Sequence, residues 1–219
     1  MNISYRSITG WLSGNWKMLV LIELICLLTI TLYLVLTPRI YEADFSIQMP
    51  KVQKISTTIG AKNEWTMMIS GLDYMRGWQN PLRYTNEFIT NCMGSDTNQN
   101  RKKFVNANQM RLQNHGDVIQ FSLKLEGLET TNRCANLLLH LVWNDVNQTF
   151  DNEVRRESQT PNPSSLFSAI NYAKPALVDL IRMSDSFIKP EIGKNILLAI
   201  ILGLFVTVFV ARLKVKYRA

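Results

Sequence analysis

Residues 18–36 read MLVLIELICLLTITLYLVL, and residues 196–211 read ILLAIILGLFVTVFVA. A helix needs about 20 apolar residues to cross the hydrocarbon core of a bilayer, and each stretch is close to that length. Glu23 is the only charged residue in either stretch. The two stretches therefore predict transmembrane helices over residues 18–37 and 194–212, with a domain over residues 38–193 folded between them.

The first stretch resembles a retained anchor more than a cleaved signal peptide. A signal peptide has an apolar core of about 7–15 residues followed by a small-x-small cleavage site. Here the apolar run is longer, and it ends LTPR at residues 36–39 without such a site. We therefore expect the first helix to remain in the membrane.

The distribution of charge predicts which side of the membrane each part occupies. The net charge is +7, yet residues 38–193 carry 17 Lys and Arg against 16 Asp and Glu. The excess lies beside the apolar stretches, with Arg212, Lys214, Lys216 and Arg218 directly after the second one. Cytoplasmic flanks are enriched in Lys and Arg, so both termini are expected inside and the central domain outside. The basic composition is thus a topology signal and not a sign of nucleic-acid binding.

The two ends are expected at the cytoplasmic surface. Residues 3–16 place apolar side chains, including Trp11 and Trp16, at approximately helical spacing, and tryptophan suits the depth of the lipid headgroups. We predict an interfacial segment over residues 1–17 and a basic tail over residues 213–219.

Hydrophobic periodicity predicts an α+β domain, with helices on a mixed sheet. Residues 41–50 and 118–125 alternate apolar and polar side chains, which is typical of half-buried strands. A third strand is expected over residues 176–183. Helical spacing covers residues 71–93 and 129–156.

The helical regions have recognisable start and stop signals. Pro81 suits a first-turn position, Thr130 or Thr131 is expected to cap the longer helix, and Pro161 and Pro163 are expected to end it. The side chains of the first region that are expected to face inward are Leu82, Phe88, Ile89 and Cys92.

Glu23, Ala199 and Gly203 are candidates for helix–helix contact. An ionisable residue inside a membrane helix is costly and marks a functional candidate. Glu23 lies close to Lys17, so it is either a tolerated carboxylate near the interface or a contact within an oligomer. Ala199 and Gly203 stand four residues apart, and this spacing either lets a partner helix approach closely or faces lipid.

Two cysteines and four aromatic residues each leave two interpretations open. Cys92 and Cys134 lie in the outer domain, where they either form a disulfide or stay as separate thiols in the core. The aromatic side chains either pack in the core or form a surface for sugar or for another subunit. They are Trp65, Tyr74, Trp78 and Tyr84.

No catalytic or metal-binding pattern is evident. His115 and His140 have no His, Cys or carboxylate at metal-ligand spacing, and a glycine-rich phosphate loop and a G-x-S-x-G elbow are both missing from the sequence. We therefore predict no catalytic residues, no metal and no cofactor.

The two junctions between the apolar stretches and the domain carry a pattern. Residues 38–47 follow the form Pro-x-x-Tyr-x-Ala-x-x-x-Ile and enter a strand, and residues 178–190 form a strand followed by a proline. The residues of the pattern are Pro38, Tyr41, Ala43, Ile47 and Pro190. The pattern resembles Wzz-type polysaccharide co-polymerases, the chain-length regulators of bacterial surface polysaccharides.

The resemblance implies a membrane-proximal α+β base in the inner membrane of a Gram-negative cell, with a periplasmic domain. It also implies a non-catalytic homo-oligomer that acts with an integral-membrane polymerase on a lipid-linked glycan. Members of the family typically extend a long helical arm, whereas Pro161 and Pro163 here follow a helix shorter than about 30 residues. The resemblance therefore implies a shortened member.

Two other classes of function compete with this interpretation. An accessory or assembly subunit of another envelope export or secretion complex would use the same two-helix plan. An enzyme without recognisable motifs is the other alternative. Membrane lipid is an expected partner in every case.

Overall fold

A computed structural model describes residues 16–56, 64–159 and 167–217. The chain divides into two compact units, one of which spans residues 40–187 and the other of which holds the two ends. Most of the predicted interfacial segment, together with Pro161 and Pro163, lies outside the described residues.

The unit formed by the ends consists of two apolar helices. Helix α1 covers Trp16–Leu36 and helix α6 covers Ile192–Tyr217. Both are long and apolar enough to cross a membrane. The two helices pack against each other. Helix α6 continues past the apolar run, so its C-terminal turns carry the basic residues 212, 214 and 216.

A four-stranded sheet forms the centre of the other unit. Its strands, in the spatial order β4-β5-β1-β7, are β4 (Asn108–Gln113), β5 (Val118–Glu126), β1 (Ile40–Gln48) and β7 (Ala176–Met183). Every pairing in this sheet is antiparallel, so the predicted mixed sheet is wrong. The cause is connectivity: β5 and β7 both run opposite to β1, and β4 forms a hairpin with β5.

A second, smaller sheet contains the strand that follows β1 in the chain and the strand that precedes β7. Strands β2 (Lys51–Ser56), β3 (Trp65–Met67) and β6 (Phe167–Ala173) pair in the order β3-β2-β6, also antiparallel. Pro50 separates β1 from β2, and Pro175 separates β6 from β7. Proline has no N–H for a ladder, so these two residues divide one long strand pair into two sheets.

Short helices cover one face of the central sheet. They are α2 (Gly71–Trp78), α3 (Asn86–Met93) and α4 (Asn98–Ala107). Each begins after a hydroxyl cap, at Ser70, Thr85 and Thr97 respectively, whose side chain accepts a hydrogen bond from a first-turn amide. The helical region predicted over residues 71–93 is thus two helices with a 3₁₀ turn at Pro81–Arg83 between them.

This 3₁₀ turn explains one wrong prediction. Pro81 occupies the first turn as expected. Leu82 is 78% exposed, because the tight turn directs it away from the core that a continuous helix would have placed it in. Phe88, Ile89 and Cys92, which belong to α3, are buried as predicted.

Helix α5 covers Leu128–Gln159 and is 32 residues long, which is longer than predicted. It begins before Thr130 and Thr131, so neither residue is its cap. The Thr131 hydroxyl instead bonds to the carbonyl oxygens of Leu125 (3.2 Å) and Gly127 (2.7 Å). Gly127 has a φ of 82°, the left-handed conformation that lets β5 turn directly into this helix.

The core lies between α5 and the inner face of the central sheet. Phe45 of β1 and Phe121 of β5 are stacked, with ring centroids 4.9 Å apart. A second aromatic group joins the short helices, where the Trp78 and Tyr84 rings meet edge to face at 5.5 Å. Tyr74, Trp78 and Tyr84 are therefore core residues, whereas Trp65 is 46% exposed.

Candidate functional site

The contact between α1 and α6 is organised around a glycine. Ala199, Gly203 and Thr207 are buried, and their spacing of four residues places them on one face of α6. The carboxyl group of Glu23 lies over Gly203: a Cβ atom added at Gly203 would be 2.6 Å from Cδ of Glu23. A side chain at this position would require the carboxyl group of Glu23 to move aside.

The structure therefore brings Glu23 and Gly203 together within a single chain, with Ala199 one turn away. The involvement of these residues in an oligomer or with a partner protein stays a prediction. Thr207 lies one turn further along, and its buried hydroxyl has no hydrogen-bond partner among the described residues. Thr29 and Thr31 of α1, by contrast, donate to the carbonyl oxygens four residues earlier. The helix pair thus holds two polar groups on its inner surface.

The junction residues divide between core and surface. Ala43 and Ile47 are fully buried on the inner face of β1, and the Tyr41 ring meets Phe187 edge to face with centroids 6.5 Å apart. Pro38 is exposed, and Pro190 follows a cis peptide bond. Core packing accounts for the apolar positions of the pattern.

Strands β1 and β7 are also joined just beyond the end of β7. The Ser184 amide donates to the Glu42 carbonyl at 2.8 Å, and the Glu42 amide donates to the Ser184 hydroxyl at 3.1 Å. The chain leaving the domain toward α6 is thereby fixed to the chain entering it from α1.

A polar cluster on the open face of the central sheet was not recognised from the sequence. Glu42 of β1 is opposite Lys124 of β5, and Asp44 is opposite Ser122. Lys124 Nζ lies 3.2 Å from Glu42 Oε1, and Ser122 Oγ donates to the same carboxylate. The signal was available in the polar halves of the two alternating strands, but their register was not.

Asp44 is the member of this cluster whose carboxylate is incompletely hydrogen-bonded. One of its carboxylate oxygens is buried without a partner among the described residues. Burial raises the pKa of Asp44 above its usual range, and the neighbouring Glu42 charge raises it further, against the opposing influence of the nearby Ser122 hydroxyl and of the charges of Lys124 and Arg111.

We predict that Asp44→Asn stabilises the protein at pH 7. A raised pKa means that the folded state favours the protonated carboxyl group, so its ionisation opposes folding above the unfolded pKa of about 4. The variant should have the higher denaturation midpoint at pH 7, and the difference should vanish below pH 4, as urea titrations at both pH values would reveal. Asp151→Asn, at an exposed carboxylate on α5, is the control. A lower midpoint for Asp44→Asn at pH 7 would contradict the prediction.

Arg101 anchors a second cluster that the sequence did not suggest. All five of its guanidinium N–H groups are used. They donate to both carboxylate oxygens of Asp96 (2.6 and 2.9 Å), to the carbonyl oxygens of Tyr84 (2.6 Å) and Pro81 (3.1 Å), and to Asn86 Oδ1 (2.7 Å). The hydrogen bonds from Arg101 hold the pKa of Asp96 below its usual range. The residue joins α4 to the 3₁₀ turn, to the start of α3 and to the turn after it.

The two cysteines of the domain are neighbours. Cys92 of α3 is 4% exposed, Cys134 of α5 is fully buried, and both are free thiols. A hydrogen bond between the two thiols, together with burial, raises the pKa of Cys92. Cys26 belongs to α1.

Residues 16–56, 64–159 and 167–217 contain no cluster of three or more His, Cys, Asp or Glu side chains that could hold a metal ion. A cavity of about 270 Å³ lies beside the edge of α3, and its lining includes Cys92, Lys103 and Lys124. Both lysines are paired with carboxylates, Lys103 with Glu126 and Lys124 with Glu42.

Comparison with known proteins yields no relative: no family model matches the chain, and no curated protein matches it.

Proposed function

We propose that the protein is a non-catalytic inner-membrane regulator of the chain length of a surface polysaccharide, such as O-antigen or a capsule-like glycan. It acts as a homo-oligomer with an integral-membrane polymerase that extends a lipid-linked glycan. The observation that carries the proposal is the pairing of β1, which directly follows α1, with β7, which directly precedes α6. The chain thus enters and leaves one antiparallel sheet at neighbouring strands, as a base held at the membrane by two helices requires.

The proposed topology follows from charge and length. Helices α1 and α6 cross the inner membrane, both termini lie in the cytoplasm, and residues 40–187 lie in the periplasm. The basic residues after the apolar part of α6 support this orientation.

The junction pattern supports the assignment to the Wzz-type family. Ala43 and Ile47 occupy core positions in the strand after the first helix, where exchange for polar residues would be costly. Helix α5 packs on this sheet. After it, the chain forms β6 of the smaller sheet and then β7, which lies beside β1.

One observation favours a second candidate function. Helix α5 covers Leu128–Gln159, and strand β6, which begins at Phe167, pairs with β2, so the described residues include no long helical arm beyond α5. A base without this arm also suits an accessory or assembly subunit of another envelope export or secretion complex. Such a subunit would leave the polysaccharide length distribution unchanged.

Deletion of the gene in its native host tests the proposal. We expect the modal length of the surface polysaccharide to disappear or to shift, and expression of the full chain from a plasmid to restore it, as resolved on a gel of the extracted polysaccharide. An unchanged distribution would refute the proposal and favour the accessory-subunit alternative. If the protein is a regulator, native mass measurement of the detergent-solubilised protein should give a homo-oligomer of several copies.

A further inference from the structure

We propose that Glu23 binds, within the bilayer, a transmembrane helix of a different protein that carries a lysine or arginine in its apolar stretch. This interaction deepens the proposed function and rests on it in two respects: α1 and α6 cross the inner membrane, and the partner is the integral-membrane polymerase. Glu23 is the only charged residue in the apolar stretches over residues 18–36 and 195–211.

The carboxyl group of Glu23 lies well inside the apolar part of the helix pair. Glu23 comes seven residues after Trp16, where α1 begins, and Gly203 comes seven residues before Val210, where the apolar part of α6 ends. At a rise of about 1.5 Å per residue, each lies about 10 Å along its helix from that end. Because the carboxyl group lies over Gly203, it is directed across to α6 and not along α1 toward the headgroups.

No cation of the same chain neutralises this carboxyl group. Among the residues that the structure describes, Glu23 forms no ion pair. Lys17 lies six residues earlier, about 9 Å along the helix axis and about 120° around it, so it occupies a different face of α1. The pairing with Lys17 that the sequence left open is therefore not formed.

A second copy of the chain cannot supply the missing charge either. In every copy, residues 18–36 and 195–211 contain no Lys, Arg or His, so another copy offers only uncharged groups or a second carboxylate at this depth. An ionised carboxylate in a membrane helix is costly unless it is paired. Charge complementarity therefore points to a different protein as the source of the cation.

The surface around Glu23 is open to a third helix. Glu23 is itself partly exposed. Val20 and Leu27, three residues before it and four after it on the same face of α1, are 53% and 40% exposed. A partner helix can therefore pack its apolar side chains on Val20 and Leu27 and place its cation on Glu23. Polar contacts between helices stabilise association within a bilayer.

Association with a synthetic helix tests the requirement for charge. The probe is a membrane-spanning peptide of leucine and alanine with one lysine about 10 Å from its end, compared with the same peptide bearing leucine there. Each labelled peptide is mixed with the labelled full chain in phosphatidylcholine vesicles, and energy transfer measures binding. We expect the natural chain to bind the lysine peptide about tenfold more tightly. Glu23→Gln keeps the shape but removes the charge, and it should bind both peptides alike.

Lys17→Gln is the matched control for this measurement. It removes an exposed charge of α1 that lies on another face, so it should keep the preference for the lysine peptide. Helical circular dichroism of each variant checks that the helices are intact. Equal binding of the two peptides by the natural chain would overturn the inference, as would a preference that persists in Glu23→Gln.

Photo-crosslinking in the native host identifies the partner. A photoreactive amino acid replaces Leu27 in the full chain, and mass spectrometry identifies the cross-linked peptide. We expect a peptide of the polymerase with Lys or Arg inside an apolar stretch, and about tenfold less of it in a Glu23→Gln background. The same amino acid at Leu21, which is exposed on another side of α1, should not capture this peptide. Adducts at position 27 with other copies of the chain alone, or no adduct, would contradict the proposal.

The outcomes separate this inference from the proposed function. Equal binding of the two peptides, in a strain whose deletion changes the polysaccharide length, would overturn the contact at Glu23 alone. A preference for the lysine peptide that depends on Glu23, together with an unchanged polysaccharide length after deletion, would overturn the proposed function alone. The cross-linked peptide would then come from a cation-bearing helix of another membrane protein.

Discussion

Replacement of Arg101 by alanine is expected to lower the free energy of unfolding by about 3 kcal/mol, because it removes a buried guanidinium and leaves the buried Tyr84 carbonyl oxygen and the partly buried Pro81 carbonyl oxygen without donors. The variant deprives both oxygens of Asp96 and the side-chain oxygen of Asn86 of their donor, and it deprives the carbonyl oxygens of Tyr84 and Pro81 of theirs. Chemical denaturation of the detergent-solubilised chain, followed by tryptophan fluorescence, measures the loss. Trp78 is a suitable reporter because it packs on Tyr84.

Two further variants define what Arg101 contributes. Arg101→Lys keeps the charge but has three N–H donors in place of five, so it should recover only part of the loss. Arg76→Ala removes an exposed arginine that is paired with Asp73, and it should change the free energy of unfolding by less than about 0.5 kcal/mol. A loss for Arg101→Ala as small as that of Arg76→Ala would contradict the prediction.

The same cluster gives a test with pH. Because Arg101 lowers the pKa of Asp96, the resulting stabilisation is fully present above the unfolded pKa of about 3.9 and is lost as pH falls through the lower folded value. The difference in denaturation midpoint between the natural chain and Arg101→Ala should therefore narrow below pH 4.

Replacement of Gly203 by valine is expected to disrupt the packing of α1 against α6. The first side-chain atom at this position would lie 2.6 Å from Cδ and 2.7 Å from Oε1 of Glu23, well inside van der Waals contact. These atoms are the far end of the flexible Glu23 side chain, which can move aside for one methyl group, and alanine has the higher helix propensity, so Gly203→Ala should cost little. The larger Gly203→Val should overpack the contact and destabilise the helix pair by about 1–3 kcal/mol. The loss of helical circular dichroism on heating in detergent measures the effect.

The chain offers a matched control and a rescue. Gly193 lies on the same helix with nothing within 4 Å of an added Cβ, so Gly193→Val should leave the melting profile unchanged. Glu23→Ala removes the carboxyl group that occupies the space above Gly203, and Gly203→Val should be better tolerated in that background. If the single variants at 193 and 203 melted alike, the contact between Glu23 and Gly203 would have no energetic importance.

Strands with one buried face could be predicted from the sequence, and strands without one could not. The alternation in β1 and β5 reflects an inner face that packs on α5, so both were recognisable from local pattern alone. Strand β4 reads NQMRLQ and is exposed along much of its length, and β2 reads KVQKIS. Strand β4 is defined by its hairpin with β5, and strand β2 by its ladders with β3 and β6, and these hydrogen bonds leave no period in the residues of β2 and β4.

The residues of the candidate site could likewise be predicted from the sequence only in part. The spacing of Ala199 and Gly203, and the charge of Glu23, were visible as local features of apolar stretches. That Glu23 and Gly203 face each other depends on how two helices about 180 residues apart in the chain pack, and no local pattern encodes it. Arg101 is followed by Lys102 and Lys103, and only the fold distinguishes the buried cation from the two that remain at the surface.

The antiparallel pairing of β1 and β7 has a mechanical consequence. The ends of both strands that lead to the helices lie at the same end of their ladder, where Ser184 is bonded to Glu42. Hydrogen bonds in such a ladder run perpendicular to the strands. Lateral tension that drew the two helices apart would therefore load these bonds one after another, as a zipper opens, and the first rungs at Glu42 would set the force at which the domain yields.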